Sequence, residues 1–156
     1  MAGLLWDTGE PLNRLVRDAI RGFGFEADLT EAGATYDVSA RLTGGRLLIE
    51  VTGIEGHLTK ASKKIAQVLN LWQTEAKPGD RVAIALNAYR EQPLAAQQPL
   101  APLTPDALAL LTGLGAIVFT TGDLFKLWRL SLTDMDRARQ RSNGLLSATA
   151  GSVQLT

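Results

Sequence analysis

The chain contains no cysteine and only one histidine among its 156 residues. Without cysteine it can form neither a disulfide framework nor a thiolate zinc site, and it has no cysteine nucleophile. The single histidine, His57, leaves little room for a serine triad, and the sequence contains neither a Gly-x-Ser-x-Gly motif nor a P-loop. The lack of cysteine is consistent with a reducing compartment, so we expect a cytoplasmic location.

The chain also lacks an excess of either charge and any long hydrophobic run. Sixteen Lys and Arg residues balance sixteen Asp and Glu residues, so contact with nucleic acid must come from a local basic patch. The longest weakly polar run, residues 107–119, is too short to span a bilayer, and the first residues show no basic region of a secretory signal. We therefore expect no membrane association.

The remaining composition is typical of one globular domain. Hydrophobic residues make up 46% of the chain. A chain of this length buries roughly two thirds of the surface that it exposes when unfolded, so neither a metal nor a disulfide is needed to stabilise it. We predict a single domain over residues 1–156. Its tail, from about residue 137, shows no clear pattern apart from a short strand within residues 151–155.

Hydrophobic periodicity predicts an alternation of helices and strands. In chain order, the predicted elements are a helix over 11–23, a strand near 25–29, a hairpin over 36–52, a helix over 58–77, a strand over 81–88, a helix over 104–114, a strand over 116–120 and a helix from 121. This order predicts an α/β fold with a mixed sheet of four to five strands and helices on both faces. We expect the last two strands to be parallel.

The hairpin brings two carboxylates together. If Thr43 and Gly44 form a two-residue loop, Asp37 lies directly opposite Glu50, with the two Cβ atoms about 4.5–5.5 Å apart. Thr52 projects from the same face as Glu50. Two adjacent carboxylates repel each other unless a cation lies between them or one is protonated, and Mg²⁺ prefers such oxygen ligands. The alternative is that each carboxylate lies in solvent or pairs with an arginine.

The order of elements around this pair resembles the PD-(D/E)xK nuclease superfamily, which has the restriction-endonuclease-like fold. The matching residues are Tyr36-Asp37 on the first arm and, after twelve intervening residues, Glu50-Val51-Thr52 on the second. The apolar run at residues 47–49 and the glycine that follows, Gly53, are also similar to the family. The resemblance covers about residues 9–125.

This resemblance implies metal-dependent hydrolysis of DNA phosphodiester bonds, with Asp37 and Glu50 as catalytic residues that hold Mg²⁺ or Mn²⁺. The sequence departs from the family pattern at two positions. Thr52 stands where the family normally has a lysine, and the loss of one such electrostatic contact typically costs about two to three orders of magnitude in rate. Asn13 stands where many members carry a glutamate on the first helix.

Polar residues on the next predicted helix can compensate for the missing lysine. Lys60, Lys64 and Gln67 have the spacing of one helix face. Some family members are thought to carry the lysine on this helix, so Lys60 and Lys64 are both candidates for the catalytic cation. Gln67 loosely matches a glutamine that some members carry there. The alternative is an ordinary solvated helix face.

Basic residues near this site are the predicted contacts to DNA. They are Lys60, Lys63 and Lys64 on the second long helix and Arg14 and Arg17 on the first. Arg21 extends the arginine stripe, and three more arginines follow at 137, 139 and 141. Solvated helix faces explain the same pattern equally simply. His57 lies in a glycine-flanked loop near the site and is interpreted as an ordinary loop residue rather than a general acid or base.

Two further functions stay open. The missing charges at Thr52 and Asn13, together with the neutral net charge, also fit a catalytically inactive module that binds DNA or protein or oligomerises. The second is a nucleotide or small-ligand pocket at the carboxyl ends of the two parallel strands, next to the irregular connector at residues 89–103. Nuclease-like relatives often occur beside other domains, so fusion to other domains and homodimerisation are both compatible with the sequence.

Overall fold

The computed structural model of the protein describes residues 1–31, 33–97, 100–148 and 150–153. After a 3₁₀ helix at Ala2–Leu5, the α-helices are α1 Gly9–Gly22, α2 Lys63–Thr74, α3 Leu94–Gln97, α4 Pro105–Gly113, α5 Thr121–Ser131 and α6 Met135–Ser147. The strands are β1 Ala27–Leu29, β2 Val38–Leu42, β3 Gly45–Gly53, β4 Arg81–Asn87, β5 Ile117–Thr120 and β6 Gly151–Ser152. Of the helices in these ranges, none combines the length and the apolar character that crossing a membrane requires.

The strands form one mixed sheet in the order β1-β2-β3-β4-β5-β6. Neighbouring strands from β1 to β3 are antiparallel, and those from β3 to β6 are parallel. The α/β class, the mixed sheet and the parallel pairing of β4 with β5 are therefore confirmed. The predicted number of four to five strands was wrong, because Gly151–Ser152 pairs with β5 and adds a sixth strand.

Two apolar layers lie on opposite faces of the sheet, because successive strand residues point to opposite sides. Helices α1, α5 and α6 cover one face, and α2 and α4 cover the other. In β3, Leu47 and Ile49 belong to the first layer, whereas Leu48 belongs to the second. The same alternation places the side chains of Glu50 and Thr52 on the α2 face.

The structure corrects two predicted boundaries that matter for the site. Strand β2 begins at Val38, so Asp37 lies just outside it. Helix α2 begins at Lys63 because Leu58 is engaged elsewhere: its N–H donates to the Pro102 carbonyl at 3.0 Å, and its own carbonyl accepts from Thr104 at 2.9 Å. The predicted single helical face through residues 60, 64 and 67 was therefore wrong at residue 60.

The tail of the chain is more regular than its sequence pattern predicts. It forms α6, which packs Ala138 and Leu145 into the layer shared with α1 and α5. The predicted final strand is present at Gly151–Ser152, and residues 154 and 155 of that prediction lie outside the described residues.

The turn of the hairpin is held against the turn that precedes β4. Arg46 donates to the Asp80 carboxylate through its backbone N–H at 2.9 Å and through its guanidinium at 2.7 Å. Gly45 lies so close to the Gly79 carbonyl that a Cβ at residue 45 would overlap the carbonyl oxygen. These contacts hold the hairpin in position beside β4.

Candidate metal site at the end of the hairpin

Glu50 lies within β3, with its side chain on the face that α2 covers. Its register partner on β4 is Ile84, and 4% of its surface is exposed. Thr52 is buried on the same face, two residues further along the strand. A carboxylate placed among apolar strand residues requires a compensating partner, because an isolated buried charge is very costly.

Lys64 is that partner. Its Nζ donates a hydrogen bond to Glu50 Oε1, and the lysine side chain is 33% exposed. Lys64 belongs to the first turn of α2, so the contact connects this helix to β3. Of the two lysines predicted as candidates, Lys64 is therefore the one that meets Glu50, while its catalytic role stays a prediction.

Asp37 lies immediately before the first residue of β2, where β3 continues beyond its pairing with β2. Its N–H donates to the Ile49 carbonyl at 3.0 Å, although the strand register pairs Ile49 with Val38. Asp37 and Val38 are thus both opposite Ile49, as in a β-bulge. The regular pairing predicted to set Asp37 directly opposite Glu50 therefore ends one residue too early.

Both oxygens of the Asp37 carboxylate accept hydrogen bonds from the protein. Oδ1 accepts from Asn13 Nδ2 at 2.8 Å, and Oδ2 accepts from the Val51 N–H at 2.8 Å. Asn13 comes from α1, on the opposite face of the sheet from α2. Asp37 therefore connects α1 with β3 in a fixed orientation, and the Asn13 position predicted to support the site does contact it.

The charge of Asp37 acts on the carboxylate of Glu50. Burial raises the pKa of Glu50 above its ordinary value; the hydrogen bond from Lys64 opposes this rise, and the charge of Asp37 adds to it. One lysine thus leaves the pair of carboxylates with uncompensated negative charge, which favours the binding of a cation.

The two helices that contact the carboxylates also carry buried amide oxygens. Asn13 turns its amide nitrogen toward Asp37, and its Oδ1 is buried without a hydrogen-bond partner in the described part of the chain. Gln67, about one turn beyond Lys64 on α2, has a buried Oε1 that also lacks a partner there. Carboxylate and amide oxygens together with water are typical ligands of Mg²⁺, which often uses only one or two carboxylates. The described residues contain no cluster of three or more His, Cys, Asp or Glu residues suited to a metal.

The basic residues predicted to contact DNA are in different environments. Each arginine of the α1 stripe pairs with a nearby carboxylate. The pairs are Arg14–Glu10, Arg17–Asp18 and Arg21–Asp28, at 2.5, 2.7 and 2.7 Å. Lys60 is exposed and precedes the first residue of α2. Lys63 is exposed at the first residue of α2. The α1 arginines are therefore paired with acidic side chains, and contact with DNA stays a prediction.

His57 is part of a contact between two loops. Its Nδ1 lies 3.2 Å from the Tyr89 hydroxyl, which also donates to the Ala101 carbonyl at 3.1 Å. Tyr89 adopts a φ of +54°, a conformation that is uncommon for residues other than glycine. Within the described residues, the side-chain contacts of His57 are with this loop rather than with Asp37 or Glu50.

An open cavity of about 500 Å³ lies at the carboxyl ends of β4 and β5. This is where the sequence predicts a small-ligand pocket, and residues of the irregular connector, including Leu94, do line it. Tyr89 of the lining belongs to the predicted connector, but sequence reasoning missed two other polar residues there, Thr121 and Lys126. The signal that could have found the last two is the start of a helix directly after a parallel strand, a position where ligands commonly bind in α/β proteins.

Fold and site together define an α/β domain that carries an acidic pair and a lysine beside a β-hairpin in a mixed sheet. Comparison of the chain with protein-family models, with curated proteins and with solved structures found no match. The resemblance to the PD-(D/E)xK superfamily therefore depends on the residues and the order of elements alone.

Proposed function

We propose that this chain is a PD-(D/E)xK-like domain, with a restriction-endonuclease-like fold, that hydrolyses DNA phosphodiester bonds with a divalent metal ion. One observation carries the proposal: Lys64 reaches Glu50 from the following helix, at a site where Asp37 adds a second carboxylate. A positive charge beside two carboxylates is the combination that such hydrolysis requires, and it compensates for Thr52.

Four residues of the site have distinct roles in this reaction. Asp37 and Glu50 would hold Mg²⁺ or Mn²⁺, which when bound lowers the pKa of a water molecule and neutralises charge on the phosphate. Asn13 orients Asp37 through the hydrogen bond to Oδ1. Lys64 would orient the attacking water and stabilise the negative charge that develops on the phosphate.

DNA would approach the site at the first turn of α2. Lys63 begins this helix and Lys60 precedes it, and both side chains are exposed to solvent. The N-terminus of an α-helix also carries partial positive charge that favours phosphate groups. A local patch of this kind is compatible with zero net charge on the whole chain.

The test is a single-turnover cleavage assay on labelled duplex and single-stranded DNA with Mg²⁺ or Mn²⁺ and protein in excess. We expect Asp37→Asn, Glu50→Gln and Lys64→Met each to lower the cleavage rate about 100-fold or more, because each removes a charge that acts in the transition state. Because the excess of protein keeps the DNA bound, a lower rate then reports slower cleavage rather than weaker DNA binding.

Lys77→Met is the matched control, because this exposed lysine lies at the other end of α2 from Lys64. It should cleave at the rate of the unmodified protein. The proposal would be contradicted if Asp37→Asn and Glu50→Gln both cleaved DNA as fast as the unmodified protein does. Cleavage that requires both carboxylates but persists in Lys64→Met would contradict the role of the lysine alone.

A catalytically inactive binding module is the second candidate. It is favoured by Thr52, which has no charge, and by the Asp37 carboxylate, whose two oxygens already accept hydrogen bonds from Asn13 and Val51. Titration calorimetry with Mg²⁺ distinguishes the two functions. The binding module would be favoured if the protein showed no Mg²⁺ binding heat that depends on Glu50 and still bound DNA in fluorescence anisotropy.

A further inference from the structure

The cavity at the carboxyl ends of β4 and β5 has one apolar and one polar side. The apolar side comprises Leu86 of β4 and Leu94, Leu100 and Pro102 of the connector. The polar side is the first turn of α5, which starts directly after β5. A mixed lining of this type is common in sites for small molecules, where a few polar groups determine the orientation of the ligand.

Thr121 is the residue that indicates a ligand. It is the first residue of α5, it lines the cavity and it is fully buried, with 0% of its surface exposed. Its Oγ1 has no hydrogen-bond partner among the residues that the structure describes. Because leaving a buried hydroxyl without a partner is costly, a polar group bound in the cavity would remove that cost.

The first turn of α5 also provides backbone donors. The first four N–H groups of an α-helix have no acceptor within the helix, and they carry partial positive charge. The N–H of Asp123 is satisfied by Thr120 Oγ1 at 3.0 Å. Gly122 lines the cavity and has no side chain that would cover the backbone next to Thr121. This end of the helix is therefore suited to an anionic group.

The charged side chains limit the charge of the ligand. Lys126 lines the cavity, and its Nζ donates to the Asp123 carboxylate at 3.1 Å. Together these two residues are neutral, so the helix end supplies the remaining attraction for an anion. One anionic group fits this balance, whereas a polyphosphate would be repelled by Asp123.

Tyr89 is a further polar residue of the lining. It adopts a left-handed conformation, with φ of +54°, and its hydroxyl contacts His57 and Ala101.

We propose that this cavity binds a small molecule through a single carboxylate or phosphate group, held by Thr121, the first-turn amides of α5 and Lys126. The apolar body of the ligand would lie against Leu86 and Leu94. This site is distinct from the hairpin carboxylates and does not depend on nuclease activity.

The test is a titration of the ¹⁵N-labelled protein followed by amide chemical shifts, with AMP, inorganic phosphate and butyrate as separate probes. We expect saturable shifts of the Thr121 and Gly122 amides with at least one probe. Binding of AMP and phosphate without butyrate would identify a phosphate site, and the reverse would identify a carboxylate site; either result supports the proposal. Thr121→Val should weaken binding about tenfold or more, because it removes a hydrogen bond to a charged group and keeps the shape of the side chain.

Lys126→Gln is the second variant, and we expect it to weaken binding about fivefold. It allows the proposal to be tested even if Thr121→Val does not fold. Thr133→Val is the matched control, because Thr133 is exposed beyond the other end of α5 and its hydroxyl donates to the Leu130 carbonyl. It should bind like the unmodified protein, as should Glu50→Gln. Absence of saturable shifts with all three probes would overturn the proposal. So would affinities that are unchanged in both Thr121→Val and Lys126→Gln.

Discussion

At the scale of single residues, Glu50 combines a cost in stability with a proposed role in catalysis. Burial raises its pKa, the Lys64 hydrogen bond opposes that rise in part, and so folding favours the protonated form. The contribution of Glu50 to stability is therefore largest below its unfolded pKa, near ~4.3, and decreases as the pH rises through the higher folded pKa. Groups that lower stability at neutral pH are typical of functional sites.

Glu50→Gln should therefore raise the midpoint of thermal unfolding at pH 8 in the presence of a chelator. Each 1 kcal/mol gained corresponds to roughly 2–4 °C for a chain of this size, and the gain should disappear near pH 4, where Glu50 is protonated. Mg²⁺ should stabilise the unmodified protein but not this variant, because only the former retains both carboxylates. Scanning calorimetry measures both effects.

Glu55→Gln is the control for this substitution, because the Glu55 side chain is 70% exposed and should have little effect. A Glu50→Gln variant that unfolds at the same or a lower temperature than the unmodified protein at pH 8 would contradict this account of Glu50.

At the scale of elements, the hairpin and its anchor show how local chemistry positions the site. The Thr43-Gly44 loop was predicted from turn chemistry, and the observed pairing of Leu42 with Gly45 confirms it. The start of α2 was predicted too early, since the pattern from Leu58 onward resembles a helix although Leu58 forms a bridge with Leu103. A side chain that packs in a bridge and one that packs in a helix are equally apolar, so periodicity alone does not distinguish them.

Asp80→Asn should destabilise the fold by about 1–3 kcal/mol at pH 7, because the buried carboxylate accepts hydrogen bonds from Arg46 and from the Lys77 N–H. Burial alone would raise the pKa of Asp80, but these hydrogen bonds outweigh it and lower the pKa. The stabilisation is therefore present above the unfolded pKa, near ~3.9, and is lost as the pH falls through the lower folded pKa.

Urea unfolding at pH 7 and at acidic pH measures this difference. Asp28→Asn is the matched control, since the Asp28 side chain is 74% exposed and its ion pair with Arg21 should contribute less than about 1 kcal/mol. Equal stability of Asp80→Asn and the unmodified protein at pH 7 would show that the Asp80 contacts do not hold the hairpin.

At the scale of the whole molecule, neutral net charge limits how DNA can be bound. Lys64 contacts Glu50, and Lys60 and Lys63 are exposed close to it in the chain, whereas the α1 arginines pair with carboxylates. The logarithm of the DNA association constant should therefore fall with the logarithm of the salt concentration with a slope of only about −2 to −3. Fluorescence anisotropy at several salt concentrations measures it. A slope steeper than about −5 would require the arginines to leave their carboxylates and contact phosphates.

The sequence by itself determined the α/β class, the hairpin turn and the register from Val38 to Leu42, because hydrophobic period and turn chemistry are local properties. It did not determine where Asp37 lies relative to Glu50, because the regular pairing ends at Val38. Only the tertiary structure decided that Lys64 rather than Lys60 meets Glu50, and that Asn13 orients Asp37. It also decided which polar residues of α5 line the cavity beside β4 and β5. These contacts depend on how α1, α2 and α5 pack on the two faces of the sheet, and the distances between packed elements are not encoded in the spacing of residues along the chain.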